Sequence, residues 1–285
     1  FSIVYLAEDK DGHAVAIKEY MPAAMARRAA GELQPTVAPE HVELYRIGLK
    51  CFFDEGRALA SIVHAHVVRV LNFFRANDTV YLVMGYEHGR SLQDHIARRK
   101  KKGDKPLISE TAVRRLFAQV MDALREVHTH KLLHLDLKPA NIYLRSDGTP
   151  ILIDFGAARQ TLHADLSQLH PMYTPGFAAP ELYAKKELGP WTDIYSIGAS
   201  IFTCMVGVPP QSAMERKRDD RMDDFYLQLR GLYSNELIDI VRWSLMLEPL
   251  KRPQSVFALQ KALRPPKKSP AETGNFFSRL RRLVG

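Results

Sequence analysis

The sequence predicts an α+β chain of two lobes, a small N-terminal lobe built on an antiparallel sheet with one main helix and a larger, mainly helical C-terminal lobe. Two patterns carry this reading. Over the first 20 residues, and again from Val67 to Tyr86, the chain reads as hairpins of short strands around turn residues. Beyond Ser91, apolar residues recur every three or four positions, the signature of helices with one buried face. At 285 residues, 46% of them hydrophobic, the chain is long enough to bury a sizeable core.

The elements come in order. "FSIVYLAED" and "AVAIKEY" alternate as strands around a "KDGH" turn, and Pro22 ends the second. Residues 23–40, with Ala, Arg, Gly and two prolines, read as a connection with a short helical turn. From Pro39 to about Ile62 the period is helical, with Leu44, Phe52, Leu59 and Ile62 on the buried face, Glu55 beside it and Gly56 in the helix interior. "VVRVLNFFRANDTVYLVMGY" is a second hairpin turning at Asn77-Asp78, giving a lobe of five strands whose first is mostly missing. "SETAVRRLFAQVMDALREVHTHK" is a helix with Ser109 as its N-cap. The strands "NIYLR" and "PILID" flank an "SDGT" turn, further helices run through 193–207, 222–230, 234–247 and 253–263, and "RPPKKSPAETG" is a linker.

The net charge of +8 is concentrated. "RRKKKGDK" (98–105) holds six basic residues against one acidic, and 264–285 holds six against Glu272, which leaves the remainder close to neutral. That pattern excludes a nucleic-acid-binding face spread over the domain, and 98–105 reads as a solvated loop between helices. Cys51 and Cys204 form no ligand or disulfide pattern, which fits a reducing, cytoplasmic setting. The longest apolar run, 194–208, is a buried helix too short to span a bilayer. The chain begins inside a motif and so reads as a fragment, compatible with the cytoplasmic part of a membrane-associated protein.

The chemistry centres on "HLDLKPAN". Asp136, Lys138 and Asn141 combine a carboxylate, an ammonium and an amide oxygen in a loop stiffened by Pro139, a set suited to phosphoryl transfer, and "LIDFGAA" comes next with Asp154. Together with "FSIVYLA", "AVAIKEY", "YTPGFAAPE", "WTDIYSIG" and "EPLKRPQS", all in the expected order, these motifs resemble the eukaryotic-like protein serine/threonine kinases, and the overall likeness is to their bacterial branch.

The resemblance implies a protein kinase fold over 1–263, with an N-lobe 1–85, a hinge 85–91, a C-lobe 92–263 and the start of the glycine-rich loop missing, and after it a basic linker and short amphipathic tail, 264–285. It implies ATP and Mg²⁺, with Mn²⁺ as a substitute, and protein substrates that present Ser or Thr. Phe1 would form the tip of the phosphate-covering loop, with Ser2 in place of its third glycine. Val4 and Ala16 would cover the adenine from above and Tyr143 from below, with Met84 behind it and Gly85 and Tyr86 at its edge. Lys18 would bind the α- and β-phosphates, oriented by Glu55, and Gly56 suggests a helix easily displaced, making that pair a switch. Asp136 would orient the attacking hydroxyl and Lys138 would neutralise the transferring group, while Thr174 would bond to both. Asn141 and Asp154 would hold Mg²⁺. His134 and Phe155, next to Gly156, would stack with Leu59 and Val70, Asp193 would anchor the catalytic loop, and Glu181 would pair with Arg252.

One position departs from the pattern. Leu135 stands where many relatives carry an Arg that receives an activation-segment phosphate, so activity is expected not to require phosphorylation there, for example at Thr161 or Ser167. Ser91 and Ala140 stand where basophilic relatives carry acids, so a preference for Arg in the substrate is not expected. The rival readings are a nucleotide-binding pseudokinase scaffold, which normally lacks one of Lys18, Asp136, Asn141 and Asp154, and a small-molecule kinase of related fold, which usually lacks Lys138 and Thr174. In the tail, Phe276, Phe277, Leu280 and Leu283 recur at helical spacing among Arg279, Arg281 and Arg282, which suits contact with an acidic membrane surface, docking on the kinase or continuation into a further region.

Overall fold

Strands β1 (Ser2–Glu8) and β2 (Ala14–Tyr20) form the first hairpin of the computed structural model, which describes residues 2–155, 173–184 and 186–264. The connection after β2 differs from expectation. It contains a two-stranded ribbon, β3 (Ala26–Arg27) paired with β4 (Thr36–Val37), and then a 3-10 turn at Pro39–His41. Strands of two residues are too short to show a period, so the sequence could not announce them. Helix α1 (Val42–Ala60) buries Tyr45, Phe52 and Leu59, while Leu44 is only half-buried. Strands β5 (Val70–Ala76) and β6 (Thr79–Gly85) are joined through Asn77 and Asp78, both at positive φ (50° and 56°), as a tight two-residue hairpin turn requires. The four strands form one antiparallel sheet in the order β1-β2-β6-β5.

Two glycines set the distance between α1 and this sheet. A Cβ on Gly48 would lie 1.8 Å from the Tyr20 hydroxyl, and one on Gly56 would lie 3.0–3.2 Å from three carbons of the Leu82 side chain. Gly56 is thus a packing residue. Its helix-propensity cost, on the order of 1 kcal/mol, accompanies the close approach to Leu82 that it permits.

Past the hinge, β7 (Gly89–Ser91) leads into α2 (Leu92–Lys102), capped by Ser91, whose hydroxyl accepts from the Asp94 amide at 3.0 Å, and ended by Gly103 at φ +76°. Arg98–Lys102 therefore form the last turn of a helix rather than a loop. α2 has only Leu92 and Ile96 as buried anchors, too few for a periodic signal. Helix α3 (Glu110–Thr129) starts at the Ser109 cap and places Val113, Phe117, Val120, Met121, Leu124 and Val127 in the core. Strands β8 (Ile142–Arg145) and β9 (Pro150–Leu152) complete a three-stranded sheet with β7. Then come α4 (Pro180–Tyr183), α5 (Pro190–Val206), α6 (Ala213–Arg216), α7 (Met222–Leu229), α8 (Asn235–Ser244) and α9 (Val256–Leu263). α5 is buried along nearly its whole length, with α3, α8 and α9 packed around it. Among the described residues no helix is long and apolar enough to cross a membrane.

Main-chain bonds join the lobes. Val68 N–H donates to the Leu152 carbonyl (2.9 Å) and Leu152 N–H to the His66 carbonyl (2.8 Å), tying the segment after α1 to the strand that leads to Asp154. Arg145 adds a bracket. Its guanidinium grips both carboxylate oxygens of Glu87 beside the hinge (2.7 and 2.8 Å) and donates to the Ala65 carbonyl (2.8 Å).

Candidate active site

Cross-strand register builds the roof of the interlobe cleft. Val4 faces Lys18 and Lys18 faces Leu82, while Leu6 faces Ala16 and Ala16 faces Met84, so these side chains share one face of the sheet. Val4 (60% exposed) and Leu6 (69% exposed) are uncovered there and give that face an apolar surface. Met84 and Tyr143 pack at the edge of the main core, and Tyr143 lies opposite Ser91 on β7. Burial raises the Tyr143 phenol above its usual range, with Tyr86 adding to the effect, which puts the two rings in one neighbourhood. At the hinge, Gly85 N–H donates to the Arg69 carbonyl (3.0 Å) and is therefore engaged within the protein.

Lys18 is buried, and its ammonium bonds to Asp154 Oδ1 at 2.5 Å. Burial pushes this ammonium down, but Asp154 and Glu55 together outweigh it and hold it charged above the usual lysine range. The expected Lys18–Glu55 ion pair is not formed. Among the described residues Glu55 has no ion-pair partner within 4.0 Å, and burial lifts its carboxyl to about 8 even though Lys18 pulls it down. Lys18 takes the nearer, half-exposed carboxylate, and the buried Glu55 is left neutral because ionising it would cost more than the attraction returns.

On the floor of the cleft, Asp136 Oδ1 accepts from the Thr174 hydroxyl (2.9 Å) and Oδ2 accepts from Lys138 Nζ (2.7 Å); the same ammonium donates to Thr174 Oγ1 (2.8 Å), closing a triangle. Asn141, on the 3-10 turn Pro139–Asn141, donates its amide to the Asp136 carbonyl (2.9 Å) and to Oδ2 (3.2 Å), which turns its own carbonyl oxygen away from Asp136. Thr174 is fixed by the turn just after it. The amides of Phe177 and Ala178 both donate to its carbonyl at 3.1 Å, and Gly176 sits at φ +87°, where a Cβ would lie 2.8 Å from the Pro210 carbonyl.

The catalytic loop is fastened from below. Asp193, fully buried on α5, accepts from the amides of His134 (2.9 Å) and Leu135 (2.8 Å) and bonds to His128 Nε2 (2.8 Å). Burial pushes its carboxyl up, but the His128 contact, the neighbouring His134 ring and the Leu135 amide pull it below the usual range, so it stays ionised. His134 is fully buried, lies tilted against Phe155 with ring centroids 4.6 Å apart, and among the described residues has no hydrogen-bond partner at either ring nitrogen; burial lowers its pKa, keeping the ring neutral. Leu59, Val70 and Phe155 share the main core. Glu181 on α4 and Arg252 form a fully buried bidentate pair at 2.7 and 3.0 Å.

A protein kinase domain model matches residues 1–263. The chain belongs to the protein kinase family. A solved structure of the PpkA-294 apo form matches with a TM-score of 0.79 at 33% identity, over 93% of this chain and 92% of that one. The hormonally up-regulated neu tumor-associated kinase of Homo sapiens is 30% identical over 72% of this chain and 29% of that protein. The carbon catabolite-derepressing protein kinase of Secale cereale is 27% identical over 75% and 41%, and the putative serine/threonine-protein kinase A of Trypanosoma brucei brucei 30% over 70% and 47%. The chain thus spans less than half the length of these curated relatives. The domain is that of an ATP-dependent protein kinase.

In this kinase domain Leu135 sits at φ +60°, and its side chain is buried in the core. Phe1, Gly156, Thr161, Ser167 and the tail 275–285 lie outside the described residues. Two contacts escaped the sequence reading. Besides the Arg145 bracket, Glu19 on β2, next to Lys18, is fully buried and is held by Arg28 and by the Tyr5 hydroxyl (2.7 Å), so the connection after β2 clasps the two strands that form the roof. Nothing local marks Arg28 as that partner. The buried glutamate beside Lys18 was the available signal.

Proposed function

We propose that the chain transfers the γ-phosphoryl group of ATP to Ser and Thr hydroxyls of protein substrates, with Mg²⁺. The observation that carries this reading is the Asp136–Lys138–Thr174 triangle. A carboxylate held by one hydroxyl and one ammonium is fixed in orientation, and it can accept the proton of an incoming hydroxyl at Oδ1 or Oδ2. The Lys138 ammonium lies where negative charge on a transferring phosphoryl group would be met by a cation. The Thr174 hydroxyl, bonded to both, links the substrate-docking segment to the chemistry.

The residues fit the nucleotide and the metal. The uncovered Val4 and Leu6 above Tyr143 suit a planar base, and the buried Lys18 ammonium suits phosphate oxygens once it leaves Asp154. Asp154 and the Asn141 carbonyl oxygen are hard oxygen donors of the kind Mg²⁺ prefers, and Mn²⁺ would accept the same set. When bound, such an ion neutralises phosphate charge and fixes the geometry of the γ-phosphoryl group. Leu135 supports a kinase active without an activation-segment phosphate, since an apolar side chain buried in the core offers a phosphate nothing.

The test uses labelled ATP, Mg²⁺ and a generic protein substrate, with Asp136→Asn as control. The proposal expects label on Ser or Thr that is lost in the control by a factor of about 10³ or more. ATP binding without transfer in the wild type would establish a nucleotide-binding scaffold instead. Label on a small molecule but on no protein would establish the related small-molecule class.

A further inference from the structure

One face of α8 combines acidic residues with an exposed tryptophan. Glu236, Asp239, Ile240 and Trp243 recur at the spacing of one helical stripe and, with Ala262 on α9, line an open groove of about 400 Å³. One end is acidic. Asp239 is exposed and has no ion-pair partner among the described residues, and Glu236 lies 3.8 Å from Arg114, whose closer partner is Glu110 at 2.8 Å. The other end is aromatic. Trp243 is 38% exposed, and its indole N–H is anchored on the Lys251 carbonyl at 2.9 Å, which holds the ring in place with a face to solvent. Among the described residues no cation lines this groove.

The described chain ends at Arg264, two residues beyond Ala262 of the groove wall. Ten residues rich in proline and lysine (265–274) come next, and after them "NFFSRLRRLVG". This last segment presents four apolar residues at helical spacing and three arginines, a complement in both polarity and charge to an acidic and aromatic groove. Ten residues reach about 33 Å when extended, and α8 is about 15 Å long, so the tail can be laid anywhere along this face.

We propose that residues 275–285 dock in the groove between α8 and α9 of their own chain, with Arg279, Arg281 and Arg282 against Glu236 and Asp239 and the phenylalanines against Trp243. The mode is that of an amphipathic helix in a groove, and tethering makes it intramolecular, which raises the effective concentration of the tail to the millimolar range. The docked tail has its apolar and basic face covered, so the same face is withheld from an acidic lipid surface. The groove lies on the C-lobe helices, away from the Asp136 triangle, and neither docking nor its test depends on catalysis.

The experiment monitors chymotryptic cleavage at Phe276 and Phe277 in the full chain by mass spectrometry. The wild type is expected to be cut slowly. Glu236→Lys with Asp239→Lys should raise the rate about tenfold, and so should Arg279→Glu with Arg281→Glu and Arg282→Glu, by removing the same attraction. Combining the two sets should bring the rate back toward wild type, an outcome that unfolding cannot imitate. Rates insensitive to both sets, or no recovery in the combination, overturn the proposal. Wild-type protection that disappears on dilution assigns the groove to the tail of a second copy and overturns it. Protection that arises only with phosphatidylserine vesicles and ignores the reversals assigns the tail to lipid and overturns it as well.

Discussion

Replacing Arg252 by Lys tests how the segment carrying Thr174 is held. All five guanidinium N–H groups of Arg252 are used. Nη1 donates to Glu181 Oε1 (2.7 Å) and the Trp191 carbonyl (3.1 Å), Nη2 to Glu181 Oε2 (3.0 Å) and the Leu247 carbonyl (3.2 Å), and Nε to the Met246 carbonyl (2.6 Å). The cation also lies over the Tyr195 ring at 5.0 Å. Both partners are buried, Arg252 with 0% and Glu181 with 1% of the side chain exposed. An ammonium has three donors on one atom and cannot span a carboxylate and three separate carbonyls. Arg252→Lys therefore leaves buried acceptors unpaired, each costing about 1–3 kcal/mol, while it keeps the charge. We expect a loss of about 3–5 kcal/mol, the range for breaking a buried pair, seen as a fall in Tm of roughly 6–20 °C by calorimetry. Arg252→Met should cost about as much alone, and adding Glu181→Gln should recover part of it, giving a coupling energy of more than about 1 kcal/mol. Activity should fall with stability, because Glu181 lies seven residues past Thr174 and α4 fixes where that loop returns. Arg252→Lys within about 1 kcal/mol of wild type would refute the reasoning.

Three further outcomes are expected. Replacing Thr161 and Ser167 together by Ala should leave turnover within about twofold of wild type, since Leu135 cannot receive a phosphate, and a loss of about a hundredfold would sink the idea. His134→Phe should hold Tm steady or raise it by a few degrees, because it removes two unpaired buried nitrogens while keeping the ring contact with Phe155; a drop of more than about 5 °C would count against this. Glu55 keeps its proton up to about pH 8 in the folded chain, against an ordinary value of 4.5, so its contribution to stability is full in acid and lost as pH rises through that window. Glu55→Gln should flatten the decline of Tm between about pH 5 and 8, and curves parallel to wild type would contradict it.

The long elements were legible because repetition over many residues is hard to produce by accident. α3 declared itself through a serine cap and apolar positions at helical spacing, and the first hairpin through two short apolar runs around a glycine-containing turn. α2 did not, although Ser91 and Gly103 punctuate it, because its last turn is a block of cations that masks the period. The β3–β4 ribbon has no period at all. In the site, Asp136, Lys138 and Asn141 could be read together because they share one loop. The partner of Lys18 could not, since Asp154 and Glu55 both suit an ammonium and only the balance of burial against distance selects Asp154 in this conformation. The stripe on α8 escaped notice because its acids and its tryptophan look like ordinary surface until α9 closes one side of the groove.

The way Asp193 grips two consecutive amides separates placement from identity in the catalytic loop. What fastens the loop just before Asp136 is main chain, which is common to all residues, while the carboxylate itself is aimed by Lys138, Thr174 and Asn141; the side chain at position 135 makes none of these bonds. A lineage can exchange a phosphate receptor for a piece of core at that position without moving the chemistry one residue away. On the proposed reading of Leu135, regulation and catalysis, though adjacent in the sequence, are separable in this fold.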